Sequence, residues 1–379
     1  MNSRERIITT LNHKEPDKVP IDLNSNSTTA LTKKAYQNLR NYLNLKEDKT
    51  LDISDSIQGT VRAKEDILSI YEIDTRTVFL KDSQLTTIKI LPDGSFYDSY
   101  GVRWKPASYY FDAVERPLSN INKVSDLKKI KWEDLHDKTI ARDIKNDAED
   151  LYRNTDYCLV ADHVCWGPFE GACVFCGYEK FLIDIYFNRK FVLALLDKIT
   201  ETAIAKYEIL LNEVGNYIQV VSFGDDVAMQ TSSYISPQMY RKFIKPLHKK
   251  IFNFIRTKTK AKIFYHVCGA VYKLIPDFID IGVDILNPVQ RSAAGMNIIK
   301  LKKEFGKSIC FWGGGIDIQK QLPFYSLKEI EKEIKKTLEI MAPGGGYVFF
   351  PTHNIQADVT PDRIDCMFKS VIKYRKYKV

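Results

Sequence analysis

The stretch KIFYHVCG at residues 262–269 decides the fold and indicates where its chemistry lies. An apolar run rich in β-forming residues ends there in His266 and Cys268, and Gly269 then allows the backbone to turn tightly. The same tripeptide, HVC, ends an earlier apolar run at residues 163–165. Residues two apart on a strand point to the same side, so each tripeptide can direct an imidazole nitrogen and a sulfur at one ion.

Short apolar runs of this kind recur along the chain, separated by segments with helical periodicity. Eight such runs lie at residues 18–23, 74–80, 157–163, 217–223, 262–268, 283–288, 308–312 and 347–351. Eight strands alternating with helices predict an α/β fold, a closed (β/α)8 TIM barrel. Most of the runs end in polar or glycine-rich residues, which is typical of the carboxyl ends of barrel strands, where barrel sites lie.

One region interrupts this rhythm, from about residue 84 to residue 118. Its apolar residues alternate, it contains Asp93-Gly94, and it carries seven aromatic residues. These features predict an N-terminal β-hairpin insertion, which either covers the barrel mouth or packs against the barrel side. We therefore expect a single barrel domain over residues 1–379 with a β-rich insertion at about 84–118.

The composition excludes several classes of protein. Of the 379 residues, 44% are hydrophobic and 27% charged, which is ordinary for a globular protein. The formal charge of +8 comes from lysines scattered over helix faces, and no basic segment is interleaved with aromatics. No apolar stretch is long enough to span a bilayer. Seven cysteines, several of them in apolar runs, suit a reducing compartment. We expect a cytoplasmic protein that binds neither nucleic acid nor membrane.

The second tripeptide predicts a metal site. A nitrogen and a thiolate ligand favour zinc, and His353, which follows the last predicted strand, is the best third ligand. A rival set is His163, Cys165, His266 and Cys268, which would form a closed structural site. Two other interpretations stay open: His353 transfers protons without a metal, or the tripeptides are ordinary core residues.

Polar residues at the other strand ends predict a substrate site. Asp225 and Asp226 follow a strand, and buried carboxylates need a compensating partner or a role in proton transfer. We expect Asp226 and His353 to be catalytic in proton transfer, whereas Asp225 caps a segment. The predicted substrate-facing side chains are Asp162, His163, Asp226, Gln230, Asn287, Gln290, Asn354 and Gln356. Cys173 and Cys176 lie in an apolar helical pattern and are interpreted as core.

The order of motifs resembles the uroporphyrinogen decarboxylase superfamily, which includes zinc-dependent methyltransferases that act with corrinoid proteins. The resemblance covers almost the whole chain. The motifs that carry it lie at residues 4–6, 18–20, 166–170, 224–226, 236–237, 266–269, 282–284 and 352–355. It implies a barrel fold and places the site at the strand ends.

The His-x-Cys-Gly motif at His266 matches the zinc methyltransferase branch. Decarboxylases of the superfamily carry an arginine-rich stretch after the first strand, whereas this chain has PIDLNSN at residues 20–26. At the last strand, zinc methyltransferases typically supply a cysteine. This chain has His353 there, which resembles the decarboxylase histidine.

The resemblance to the methyltransferase branch implies a zinc enzyme in which Zn2+ activates a thiol acceptor. The methyl donor would be a methyl-corrinoid (cobalamin) on a separate corrinoid protein, because this sequence has no Asp-x-His-x-x-Gly segment of the corrinoid-binding kind. Two alternatives remain: a metal-independent decarboxylase or lyase that acts on a smaller acid, and a barrel that only binds a small molecule. A homodimer would rest on family analogy alone.

Overall fold

The computed structural model describes residues 1–80, 89–130, 132 and 138–377. In chain order, its strands are β1 (Leu31–Thr32), β2 (Ile53–Asp55), β3 (Thr60–Val61), β4 (Thr75–Val78), β5 (Phe96–Tyr97), β6 (Arg103–Pro106), β7 (Phe111–Glu115), β8 (Cys158–Ala161), β9 (Val220–Gly224), β10 (Lys262–His266), β11 (Ile285–Asn287), β12 (Cys310–Trp312) and β13 (Tyr347–Val348). Its α-helices are α1 (Ser3–Leu11), α2 (Lys33–Tyr42), α3 (Glu65–Ile70), α4 (Ile144–Asn154), α5 (Pro168–Cys176), α6 (Tyr178–Phe187), α7 (Arg189–Val214), α8 (Pro237–Met239), α9 (Lys245–Lys258), α10 (Ile275–Asp280), α11 (Ile298–Phe305), α12 (Leu327–Met341) and α13 (Pro361–Tyr374). Short 3-10 helices occupy Val124–Lys129, Lys138–Ala141 and Tyr272–Leu274, and a π-helical turn occupies Tyr240–Ile244.

Within the described residues, seven strands form one parallel sheet in the order β4-β8-β9-β10-β11-β12-β13. At least one helix separates each strand of this sheet from the next along the chain. His266 of β10 stands opposite Gly224 of β9 on one side and Asn287 of β11 on the other. Every residue of β8 and β9 is buried, as expected for a parallel sheet covered on both faces. This topology confirms the predicted α/β barrel fold.

A segment near the start of the chain joins the two edges of this sheet. The Asp22 amide donates to the Phe349 carbonyl, the Phe349 amide donates to the Pro20 carbonyl, and the Asp74 amide donates to the Ile21 carbonyl. The sequence predicts a full first strand at residues 18–23, but the structure has isolated bridges there, from Lys18 to Lys376 and from Ile21 to Phe349. Pro20 has no N–H to donate, and the Asp74 carboxylate takes the Ile21 amide, so a regular ladder does not form.

The side chains of the sheet alternate between the barrel interior and the helix layer. One buried cluster fills the interior and consists of Ile7, Leu11, Cys158, Val160, Val220, Phe264, Ile285, Cys310, Trp312 and Val348. The next positions of the same parity, at or just beyond the carboxyl ends of the strands, are Asp162, His266 and Asn287. Strand period alone therefore directs these three polar side chains toward one end of the barrel interior.

Helix α1 closes the opposite end of the barrel. Its Thr10 carbonyl accepts from the Gly346 amide, just before β13, and its Arg4 amide donates to the Asp156 carbonyl, just before β8. Ile7 and Leu11 of this helix are members of the buried interior cluster. The amino ends of the strands are therefore plugged, which leaves the carboxyl ends as the accessible face. Among the described helices, none is long and apolar enough to cross a membrane.

The predicted insertion contains an antiparallel sheet in the order β5-β6-β7, with Phe96 opposite Trp104. Residues 84–88 of the predicted range lie outside the described residues. Trp104 packs on Trp166, which follows β8, with ring centroids 5.8 Å apart. Tyr110, between β6 and β7, contacts the Gln356 side chain through its hydroxyl. The insertion therefore contacts loops at the carboxyl end of the barrel.

Candidate metal centre

His266 is the last residue of β10 and is buried at the carboxyl end of the barrel. Its Nδ1 lies 2.6 Å from Oδ1 of Asn287, and Nδ2 of Asn287 donates to the Trp312 carbonyl at 2.9 Å. Because the amide oxygen can only accept, Nδ1 of His266 must carry the proton. The Nε2 atom of His266 is therefore left with its lone pair, which is the state that binds a metal.

Cys268 places its Sγ 3.5 Å from Nε2 of His266. The Cys268 amide donates to Oδ1 of Asp226 at 2.7 Å, and the next amide, of Gly269, donates to Oε1 of Gln290 at 2.7 Å. Gly269 has φ +98°, and a Cβ there would lie 2.6 Å from the Met229 carbonyl oxygen. Only glycine fits this turn without strain, and the turn points Cys268 back toward His266.

His353 follows β13 and faces His266 edge to face, with ring centroids 5.3 Å apart. The ligand atoms of His266, Cys268 and His353 all lie within 4.8 Å of one another. In the described part of the chain, this is the only group of three or more His, Cys, Asp or Glu residues with that geometry. His163 and Cys165, the rival ligands, are not part of it.

Burial sets the protonation of these groups in the absence of an ion. It lowers the pKa of His266 well below its ordinary value, helped by the charge of His353, and it lowers the pKa of His353 to about 4. Both imidazoles are therefore neutral near pH 7 and available as ligands. Burial and the charges of Asp226 and Glu170 raise the pKa of the Cys268 thiol well above its ordinary value. A cation bound beside the sulfur would favour the thiolate instead.

The donor set fits zinc. Two neutral imidazoles and one thiolate match its preference for nitrogen and sulfur ligands, and three protein ligands leave a fourth position open, as in catalytic sites. The hydrogen bond from His266 to Asn287 is the kind of outer contact that fixes a ligating histidine.

The adjacent residues Asp225 and Asp226 diverge at the end of β9. Asp225 is fully buried and accepts from the amides of Phe169 and Glu170 in the first turn of α5. Its Oδ2 also lies 2.6 Å from Nε2 of the buried His248. Asp225 thus holds the start of α5, and Gly167 permits this approach because a Cβ there would lie 2.3 Å from the Asp225 Cβ.

Asp226 lies beside the metal centre together with Glu170. The Asp226 amide donates to Oε2 of Glu170 at 3.4 Å. Burial raises the pKa of Asp226 to about 6, and the nearby Asp225 contributes to that rise. Burial and the charges of Asp226 and Asp225 raise the pKa of Glu170 well above its ordinary value. These neighbouring carboxyl groups can therefore hold a proton near neutral pH.

The first tripeptide has different surroundings. Oδ1 of Asp162 accepts from the His163 amide at 2.8 Å, and Nε2 of His163 lies 3.4 Å from Oγ of Ser27. Although burial alone would lower it, the Asp162 charge raises the pKa of His163. Cys165 packs beside aromatic rings, among them Trp166.

The predicted substrate-facing amides are mostly engaged within the protein. Gln290 accepts from Gly269, as described above, and the buried Asn354 accepts from the Ala30 amide and donates to Gln58. Gln230 is exposed and donates to Gln319 at 3.0 Å. Gln356 is buried and contacts Tyr110, but its Oε1 has no hydrogen-bond partner. Asn287, as shown above, orients His266.

Glu170, Asp55 and Tyr110 were not assigned a role from the sequence, yet all three lie near the candidate metal centre. The charge of Glu170 helps to raise the pKa of Cys268. Burial is the largest cause of the raised pKa of Tyr110, and the charges of Cys268 and Asp55 add to it. The position of Glu170 in the first turn of a helix that begins Gly-Pro is the one sequence signal that could have drawn attention to it. Asp55 and Tyr110 come from β2 and the insertion, which carry no such signal.

Fold and site together define a (β/α)8-barrel protein with a candidate metal centre at the carboxyl ends of its strands. The family model "Uroporphyrinogen decarboxylase (URO-D)" matches residues 114–374. The chain therefore belongs to the uroporphyrinogen decarboxylase family. Among functionally curated proteins, none matches this sequence.

Comparison with solved structures finds similar chains at low sequence identity. A methyltransferase from Methanosarcina mazei is similar over 99% of this chain and 99% of its own, with a TM-score of 0.64 and 16% identity. A protein described as a vitamin-B12-independent methionine synthase from Listeria monocytogenes is similar over 94% of this chain and 98% of its own, with a TM-score of 0.40 and 11% identity. The first of these supports the same barrel fold along the whole chain.

Proposed function

We propose that this protein is a zinc-dependent methyltransferase that moves a methyl group between a corrinoid protein and a small acceptor, a thiol. The observation that carries the proposal is the convergence of the ligand atoms of His266, Cys268 and His353 within 4.8 Å at the open end of the barrel. The fold shared with a methyltransferase is consistent with it.

The role of the ion would be that of a Lewis acid. Zinc held by these three residues would lower the pKa of a thiol acceptor, so that the acceptor is a nucleophilic thiolate near pH 7. The residues around it have separate tasks. Asn287 fixes the ring of His266, and Asp226 fixes the backbone of Cys268.

The proton released by the acceptor needs a base. Asp226, with a pKa raised to about 6, and Glu170 beside it are the carboxyl groups next to the centre. In the proposed reaction they take the thiol proton as the thiolate forms. The thiolate sulfur then bonds to the methyl carbon, and the electron pair of the broken donor–methyl bond stays with the donor. Through the contact of Tyr110 with Gln356, the insertion would limit the access of water to this face.

The test combines metal content with turnover. The purified protein should contain about one zinc per chain by elemental analysis, and it should consume methylcobalamin, used as a free donor, in the presence of a thiol. His266→Ala, Cys268→Ser and His353→Ala should each lose zinc and thioether formation, measured by mass spectrometry. A folded wild-type protein that neither holds nor takes up zinc would refute the proposal.

A metal-independent decarboxylase or lyase that acts on a smaller acid is the second candidate. It is favoured by the pKa of Asp226, about 6, which lets this carboxyl group donate a proton near neutral pH. His353, whose pKa is lowered to about 4, would serve as the base. Carbon dioxide release that persists after zinc is removed by a chelator would support this function over methyl transfer.

A further inference from the structure

The pocket around the candidate metal centre contains three carboxyl groups, those of Asp55, Glu170 and Asp226, which have no lysine or arginine partner among the described residues. Glu170 and Asp226 lie together, and their charges act on Cys268. Asp55, whose charge acts on Glu170, belongs to the same group. Within the described ranges, no lysine or arginine forms an ion pair with Asp55, Glu170 or Asp226, and their strongest charged neighbours are other carboxylates and His163.

Aromatic rings border the same carboxylates. Tyr178 and Tyr234 have ring centroids 5.0 Å apart. Burial is the largest cause of the raised pKa values of both tyrosines. The charge of Glu170 adds to the rise for Tyr178, and the charge of Asp226 adds to it for Tyr234. Aromatic faces next to carboxylates are a setting that favours an organic cation, because the ring quadrupole and the negative charges both attract it.

An unpaired acceptor lies near the same sulfur. Gln356 is only 8% exposed, and its Oε1 has no hydrogen-bond partner. Its Nε2 contacts the hydroxyl of Tyr110, on which the charge of Cys268 acts. A buried carbonyl oxygen without a donor is unfavourable unless a ligand supplies an N–H or O–H. This observation is independent of the carboxylates and indicates a ligand that donates hydrogen bonds.

We propose that the small substrate bound beside the metal centre carries a protonated amine, held by the carboxylates of Glu170 and Asp226, with the Gln356 carbonyl as a further acceptor nearby. A cation balances the two carboxylates, its N–H groups satisfy open acceptors, and the tyrosine rings contact its carbon atoms. The inference deepens the proposed function, on which it rests for the thiol but not for the amine. An amino thiol meets both requirements.

Three thiols of one length separate the charge states: 2-aminoethanethiol, 2-mercaptoethanol and 2-mercaptoethanesulfonate. Calorimetric titration of the zinc-loaded full chain should give an affinity for the amine at least about tenfold above that for the alcohol, and higher still relative to the sulfonate. Equal affinities, or a preference for the sulfonate, would overturn the proposal.

Two variants locate the effect. Glu170→Gln keeps the size and an acceptor for the Asp226 amide, and it should reduce the preference for the amine to less than about threefold. Gln356→Leu, which changes no charge, should weaken amine binding several-fold. Glu179→Gln, at an exposed position of α6, is the matched control for net charge and should keep the full preference. If Glu170→Gln also keeps it, the assignment is wrong.

Thiol-free probes separate this inference from the proposed function. Propylammonium and propionate should be titrated into the zinc-free protein with the same variants. Stronger binding of propylammonium that depends on Glu170 supports the amine site even if zinc is never taken up. If zinc binds but propylammonium binds no better than propionate, the metal centre stands and the amine site is refuted.

Discussion

The two His-Val-Cys tripeptides have the same sequence and lie at the carboxyl ends of β8 and β10 in one sheet, yet only the second contributes to the candidate metal centre. β10 includes His266, so the sheet fixes its direction and places it opposite Asn287. β8 ends at Ala161, so His163 lies beyond the ladder and turns to Asp162 and Ser27. A tripeptide therefore does not define a site. The register of its strand and the residue on the neighbouring strand do.

The largest expected difference comes from the same substitution in both tripeptides. Cys268→Ser should weaken zinc binding by more than about 100-fold, since it removes a ligand and not merely an outer contact. Cys165→Ser should leave zinc affinity unchanged, because Cys165 packs beside aromatic side chains. Competition with a chromogenic chelator measures both. Equal losses in the two variants would show that the tripeptides share one site.

The second-largest expected loss of zinc affinity comes from removing the hydrogen-bond partner of the histidine. Asn287→Ala should weaken zinc binding by about 10–100-fold, because Nδ1 of His266 loses its acceptor and the ring is free to turn. Asn287→Asp keeps that acceptor and should restore most of the affinity. Ser27→Ala, at the partner of His163, should have no effect.

Denaturant unfolding of the zinc-free variants provides the control for Asn287. Its Nδ2 also donates to the Trp312 carbonyl, so Asn287→Ala should lower the free energy of unfolding by about 1–3 kcal/mol. A loss of affinity that only follows this loss of stability, with no rescue by aspartate, would contradict a role in orienting the ligand.

The strand pattern made the barrel and the directions of His266 and Asn287 predictable, since a period of two residues assigns each side chain to a face. The fold class and the family were confirmed. The first strand was less regular than predicted, because Pro20 cannot donate and Asp74 takes the amide of Ile21.

Other parts of the site depend on contacts between distant segments, which no local pattern encodes. Asp225 pairs with His248 and with the start of α5, and these partners follow only from the packed structure. Tyr110 reaches Gln356 across 246 residues of sequence. The predicted substrate role of Asn354 and Gln290 came from their position at strand ends. In the structure, the side-chain oxygen of each accepts from a backbone amide, that of Ala30 or of Gly269.

A smaller effect is expected in the pH dependence of zinc binding. The pKa of His353 is lowered to about 4 and that of His266 lies well below 6.5, so protons do not compete for these ligands near neutral pH. The Cys268 thiol, whose pKa is raised, must release its proton on binding. Between about pH 6 and 8, zinc affinity should rise about tenfold per pH unit, which corresponds to one proton.

Chelator competition at several pH values, with proton release followed by a pH indicator, checks this slope. A flat dependence would mean that Cys268 is already a thiolate in the free protein. A slope of two or more protons over the same range would mean that a second group, a histidine or one of the carboxyl groups of Asp226 and Glu170, also releases a proton on binding.

The smallest effect is an opposite pH dependence of stability for the two histidines in the zinc-free protein. The pKa of His163 is raised, against the effect of burial, by Asp162, so its contribution is present below about pH 6.5 and is lost as the pH rises through its folded-state pKa. The pKa of His266 is lowered by burial. The stability that depends on its neutral ring is therefore fully present above about pH 6.5 and is lost as the pH falls toward its folded-state pKa.

Urea unfolding of His163→Gln and His266→Gln at about pH 8 and pH 6, with chelator present, measures how each histidine changes the free energy of unfolding on acidification. On acidification the wild type should gain stability relative to His163→Gln, by no more than about 1 kcal/mol because this pair is partly exposed, and it should lose stability relative to His266→Gln. The same sign at both positions would mean that the surroundings of the two histidines do not differ as their contacts indicate. Opposite signs would show that one tripeptide holds a charged histidine paired with a carboxylate and the other a neutral histidine prepared for a metal, which is the distinction that the strand register creates.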